Sequence, residues 1–184
     1  HIHDLNQLNY YEDLGKSGLY HIQTAGPTGL YFNYGDAKTT LYFSPVLFWL
    51  SYQFDHPVYA WFERLLIEKD YDRMLSGDLK VDTLDRFLAL LVTWYNEKGE
   101  NASNEDLPYD SKFASEGVTL AAMRDEWNEN SVYQAFKAGD NQAGHAHLDG
   151  GTFVLDAKSE RWAMDLGSDS YSVPGYWNFN GPRW

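Results

Sequence analysis

Imidazole and carboxylate groups concentrate in one stretch, Gly144-His145-Ala146-His147-Leu148-Asp149-Gly150-Gly151-Thr152-Phe153-Val154-Leu155-Asp156, which continues into Arg161-Trp162-Ala163-Met164-Asp165-Leu166-Gly167. Thr152 to Asp156 and Arg161 to Asp165 are β-rich runs on either side of a polar Ala157-Lys158-Ser159-Glu160 turn, a pattern that reads as an antiparallel hairpin. Its closure carries His147 and Asp165 to one open end, where they form a candidate pair of metal ligands. His145 is offset by two from His147, so in extended chain both point to one face, unless Gly144 and the Gly150-Gly151 pair bend the segment. One imidazole can then hold a metal while the other faces a substrate. Asp149 either orients His147 from behind, as metal-bound imidazoles require, or caps its own loop. The plain alternative is two exposed loop histidines and a structural aspartate.

With Lys137-Ala138-Gly139-Asp140-Asn141, Gly144 to Asp149, Asp165-Leu166-Gly167 and Tyr171 to Trp177, the chain resembles the start of the β-sandwich domain of the heparinase II/III-like polysaccharide lyases and their alginate lyase relatives. Gly26-Pro27-Thr28-Gly29 and Phe32-Asn33-Tyr34-Gly35-Asp36 resemble the last segments of that family's helical toroid. The matches keep the family's order and cover most of the chain.

The resemblance implies β-elimination on a uronic acid sugar: the C5 proton is removed, the carboxylate charge is stabilised, and the leaving oxygen is protonated. Histidine and tyrosine can move the protons, while Asn, Arg or imidazolium can hold the carboxylate as it takes on enolate character. It makes His145 the catalytic histidine and His147 and Asp165 two of three protein ligands of a structural zinc, the third being a histidine farther along the β domain. No histidine follows His147 here, so the zinc site is expected to be incomplete, and the toroid's own catalytic residues are expected ahead of His1. Tyr176, in Pro174-Gly175-Tyr176-Trp177, matches the family's second-domain tyrosine, with Tyr171 as the alternative and aromatic packing beside Trp177 as the competing role. Asn141 and Arg124 are candidate substrate contacts. Asn141 otherwise serves its turn, and Arg124 otherwise pairs with Asp125-Glu126. The implied partner is an acidic polysaccharide, the implied location periplasmic or secreted, and the chain a central piece of a longer enzyme.

At 184 residues, 43% of them hydrophobic and 17% aromatic, the chain can bury a sizeable core in one or two domains. With no cysteine it has no thiol nucleophile and no Cys-type zinc site. A net charge of −13, from 14 Lys+Arg against 27 Asp+Glu, argues against nucleic acid as a partner. It also opposes an anionic polysaccharide, unless the acids lie on solvated faces and a few cations converge in the cleft, since charges beyond a Debye length of roughly 8 Å are largely screened. No apolar run approaches the roughly 20 residues of a membrane span.

The supporting elements change period midway. Asp4 to Asp13 reads as a helix with Ile2, Leu5 and Leu8 on one side, ending near Gly15. Gly26 to Gly29 is a turn, and Tyr31, Phe32 and Tyr34 are either core or an aromatic wall on a sugar cleft. Ser44-Pro45 starts a helix, Ser as N-cap, whose Val46 to Phe54 is apolar nearly all round and should be buried. Val58, Trp61, Phe62, Leu65 and Leu66 mark the next helix, with His56 at its start, and Asp70 to Asp82 reads as a charged connector. Asp82-Thr83 caps a helix with Leu84, Phe87, Leu88, Leu91 and Tyr95 in one stripe. Asn96 to Asp110 is acidic and aperiodic, which places the boundary between a helical domain, 1–108, and an antiparallel β domain, 109–184, with strands over 112–115, 118–123, 131–137, 152–156 and 161–165. Asn101-Ala102-Ser103 is a glycosylation sequon. The fold class is α+β: antiparallel helices from an α/α toroid, then part of an antiparallel sandwich. Two other functions fit the same residues: a two-carboxylate glycoside hydrolase using Asp149 and Asp165, which leaves the histidines unexplained, and a non-catalytic carbohydrate-binding or structural β domain.

Overall fold

A computed structural model describes residues 12–77, 88–141, 147–168 and 170–175. Among them the class is α+β, with helices α1 (Glu12–Gln23), α2 (Val46–Phe54), α3 (Pro57–Ser76) and α4 (Leu88–Trp94), then strands β1 (Asp110–Ala114), β2 (Val118–Arg124), β3 (Tyr133–Gly139), β4 (Phe153–Ala157) and β5 (Glu160–Ala163). The chain divides into two compact units, one of residues 1–23 and 42–108, the other of 24–41 and 109–184. A single cut after residue 108 therefore does not separate them, because 24–41 belongs with the strands.

In the helical unit, most of the helix expected over Asp4 to Asp13 lies outside the described residues. The expected stop near Gly15 is absent, since α1 runs through Gly15 and Gly18. Both glycines are contact points: a Cβ at Gly15 would stand 3.0 Å from the Phe54 ring, and one at Gly18 would run into the Tyr59 ring. Pro45, rather than Ser44, occupies the N-cap of α2, without a side-chain cap, and Val46 and Tyr52 of that helix are exposed although Leu47, Phe48 and Leu50 are buried. The charged stretch from Asp70 continues α3 to Ser76 instead of connecting helices. Asp70 is buried there because it accepts hydrogen bonds from the Phe43 amide at 3.3 Å and Arg73 Nη1 at 2.9 Å. Two 3₁₀ turns, Lys98–Asn101 and Asn104–Asp106, occupy the aperiodic stretch, the second opened by a capping box on Ser103.

Glu63 on α3 is fully buried, and among the described residues no side chain pairs with either of its carboxyl oxygens. Burial pushes its pKa up from 4.5 to about 8, with a smaller opposing effect from the Ser44 amide and a raising one from Asp70. The folded carboxyl thus keeps a proton that the unfolded chain has released, so its stability contribution is whole below the unfolded pKa and is lost as pH rises through the folded one. Glu63→Gln, which resembles the protonated carboxyl, should leave stability near pH 4 unchanged and raise it on the order of 3 kcal/mol near pH 8. Urea unfolding at both pH values checks this; an equal offset at the two would exclude Glu63 as the titrating group.

The strands form one antiparallel meander in the order β1-β2-β3-β4-β5. Alternation turns Leu120, Ala122 and Arg124 of β2, Tyr133, Ala135 and Lys137 of β3, and Val154 and Asp156 of β4 inward. The register aligns them in rows across the sheet: Leu120 opposite Lys137, Ala122 opposite Ala135 and then Val154, and Arg124 opposite Tyr133, Asp156 and Arg161 in turn. The outer face carries the exposed apolar side chains of Met123, Phe136, Phe153 and Trp162. No helix among the described residues is long and apolar enough to cross a membrane.

Candidate functional site

The row of Arg124, Tyr133, Asp156 and Arg161 anchors the 24–41 segment to the sheet. Arg161 holds Asp156 through two hydrogen bonds, Nε to Oδ1 at 2.6 Å and Nη2 to Oδ2 at 3.1 Å, and donates to the carbonyls of Tyr31 and Leu30 at 2.7 and 3.1 Å. Thr28 Oγ1 donates to Asp156 Oδ2 at 2.7 Å, and Arg124 Nη2 donates to the Ala25 carbonyl at 3.0 Å. Gly26 passes so near that a Cβ there would run into the Asp156 carboxylate. This is what the Gly26-Pro27-Thr28-Gly29 turn accommodates.

Segment 33–36 then reaches the open end of the β4–β5 hairpin. Asn33 Nδ2 donates to the Asp165 carbonyl at 3.0 Å, and the Gly35 amide donates to Asp149 Oδ2 at 3.1 Å. Asp149 also takes the ammonium of Lys137, which is 2% exposed, in an ion pair with the Tyr34 ring 5.7 Å from the nitrogen. Asp36 Oδ2 accepts from Tyr171 Oη at 2.8 Å, and its Oδ1 stands 3.4 Å from His147 Nε2. Beside these groups opens a cleft of about 500 Å³ lined by His147, Asp149, Thr152 and Asp165, with Leu148, Met164 and Leu166 exposed along its rim.

The structure brings His147 and Asp165 to this one cleft. The Asp165 oxygens each accept a hydrogen bond, Oδ2 from Thr152 Oγ1 and Oδ1 from the Gly167 amide, both at 2.6 Å, so Asp165 ties the end of β5 to the start of β4. A structural zinc takes four donors. These two match it in kind, but the described residues gather no group of three His, Cys, Asp or Glu. The Asp149 carboxylate takes Lys137 and Gly35, and a carboxylate oxygen of Asp36 stands near the imidazole of His147. An imidazole set against a carboxylate is fixed in orientation and can exchange a proton through its other nitrogen.

Among the described residues Arg124 pairs with neither Asp125 nor Glu126 and is buried in the sheet. It is 8% exposed, its guanidinium lies 3.5 Å from the Trp127 ring centre and 4.7 Å from that of Tyr133, and burial lowers its pKa to about 10. Asp125 and Glu126 instead accept from the Val132 amide and Asn128 Nδ2. Asn141 lies against Gly150 of the cleft wall, and its Oδ1 is buried with no hydrogen-bond partner among the described residues. His145 and Tyr176 lie outside the described residues.

Sequence reasoning missed Asp36, Lys137, Asp156 and Arg161. Lys137 and Asp156 carried a signal, because each occupies an inward position of an alternating strand, where a charge requires a buried partner. Asp36 carried none, because its partners His147 and Tyr171 are more than a hundred residues away in sequence. Models of known protein families give no match to this chain, and neither do the curated proteins.

Proposed function

We propose that this chain is part of a polysaccharide lyase that cleaves uronic-acid-containing polysaccharide by β-elimination. The observation that carries the reading is the shared cleft of His147 and Asp165 at the hairpin's open end, in a chain whose motifs resemble those of the heparinase II/III-like lyases in their order. In this reading His145 abstracts the C5 proton or holds the uronate carboxylate, and Tyr176, or Tyr171 beside Asp36, returns a proton to the leaving oxygen. His147 and Asp165 would be two of the ligands of a zinc that fixes the loops, and Asn141 a substrate contact. The helices would belong to an α/α toroid and the sheet to a β-sandwich. The exposed apolar face with Met123, Phe136, Phe153 and Trp162 supports the sandwich, because such a face is ordinarily covered by a second layer. The enzyme would act in the periplasm or outside the cell.

A lyase leaves a conjugated, unsaturated sugar at the new chain end. Incubating a protein that contains this chain with alginate or heparan sulfate should therefore raise ultraviolet absorbance in step with chain scission. Reducing sugar released without that absorbance would assign a hydrolase. Binding with neither signal would favour a carbohydrate-binding or structural domain, a reading supported by the two hydrogen bonds that employ Asp165 in closing the hairpin.

A further inference from the structure

A second hollow of about 500 Å³ lies in the helical unit, within the roughly 300 to 1,000 Å³ of small-molecule sites. Trp61, Arg64 and Glu68 are i, i+3 and i+7 on α3 and so share one helix face. Tyr95 follows α4, and the 98–101 turn brings Glu100 to the other side. That turn lies against α3 at Gly99, where a Cβ would run into the Trp61 backbone. Arg64 is fixed in place: its Nη2 donates to Tyr95 Oη and reaches Glu100 Oε1 at 3.4 Å, and its guanidinium lies 5.4 Å from the Tyr95 ring centre.

The charges select the ligand. Anions meet two carboxylates, Glu68 and Glu100, and cations meet the guanidinium of Arg64, so neither sign is served. A neutral ligand with many hydroxyls satisfies all three, donating to the carboxylates and accepting from the guanidinium. The aromatic rings of Trp61 and half-exposed Tyr95 ask for an apolar face on the same ligand. A sugar ring joins a C–H face to a rim of hydroxyls. We propose that this hollow binds a neutral saccharide of one or two rings, at a site separate from the cleft of the β unit and independent of whether that cleft is a lyase's.

The full 184-residue chain, labelled with ¹⁵N at tryptophan, tests this, with the Trp61 indole resonance identified by its loss in Trp61→Phe. Titration with cellotetraose, maltotetraose and mannotetraose should shift that resonance saturably with at least one of them. Arg64→Ala and, on the exposed side of α3, Glu68→Ala should each weaken binding roughly tenfold. Leu166→Ala, at the fully exposed rim of the β-unit cleft, should not change it. No saturable shift with any of the three sugars would overturn the proposal, as would a shift produced only by a uronate oligosaccharide or an arginine-rich peptide, wild-type affinity in both variants, or loss of binding in Leu166→Ala. Failure here leaves the ultraviolet assay for lyase activity untouched, and failure there leaves this titration untouched.

Discussion

Replacing Arg161 with methionine should destabilise the β unit by about 3 to 5 kcal/mol, the cost of removing one member of a buried ion pair. The Arg161 side chain is 5% exposed and that of Asp156 is fully buried, so solvent cannot take over from the lost guanidinium. The substitution leaves the Asp156 carboxylate, among the described residues, with the Thr28 hydroxyl as its remaining side-chain donor, and it removes the donors to the Leu30 and Tyr31 carbonyls. The double variant Arg161→Met with Asp156→Leu should recover much of the loss, because an apolar pair needs no compensating charge. Urea unfolding of the three proteins decides the matter. A single-variant cost below about 1 kcal/mol, the range of an exposed pair, would show that water reaches Asp156.

That row also shows where reading the sequence stops. Alternation in Val154-Leu155-Asp156 and Tyr133 to Lys137 marks the strands and the inward positions, since period two is a local property of the chain. The hairpin that gathers His147 and Asp165 follows from local pattern and turn residues in the same way. What those inward charges bind is not written in the alternation: Lys137 takes Asp149 from the connection between β3 and β4, while Asp156 takes the Thr28 hydroxyl and Arg161 the carbonyls of 30 and 31, contacts fixed only when 24–41 lies on the sheet. For the same reason Arg124 looked like an available cation beside two acids, although its position in the register places it inward, over Tyr133. The helical misreadings have a different cause. Gly15 and the aspartates Asp70 and Asp72 are weak helix formers by intrinsic preference, but the Phe54 ring against Gly15 and the Phe43 amide on Asp70 outweigh a propensity of about 1 kcal/mol or less.

In a protein that contains this chain and turns over a uronic polysaccharide, His145→Ala should lower the rate by roughly 10²- to 10⁴-fold, the usual contribution of a positioned general base or charge stabiliser. The C5 proton of a uronate is weakly acidic, so the reaction needs a base in contact with it and a positive or hydrogen-bonding group on the carboxylate, and His145 is the imidazole beside the cleft-lining His147 in sequence. His147 is not equivalent to it. Its Nε2 faces Asp36, and Asp36 is itself held by Tyr171, so His147→Ala takes away a contact that joins the 24–41 segment to the cleft. The two substitutions should therefore separate: His145→Ala loses turnover with the thermal midpoint nearly unchanged, whereas His147→Ala lowers the midpoint together with turnover. Rates and melting curves measured on both variants distinguish the roles. Wild-type turnover in His145→Ala would remove it from the chemistry and leave Tyr171, beside Asp36, as the described residue next to test.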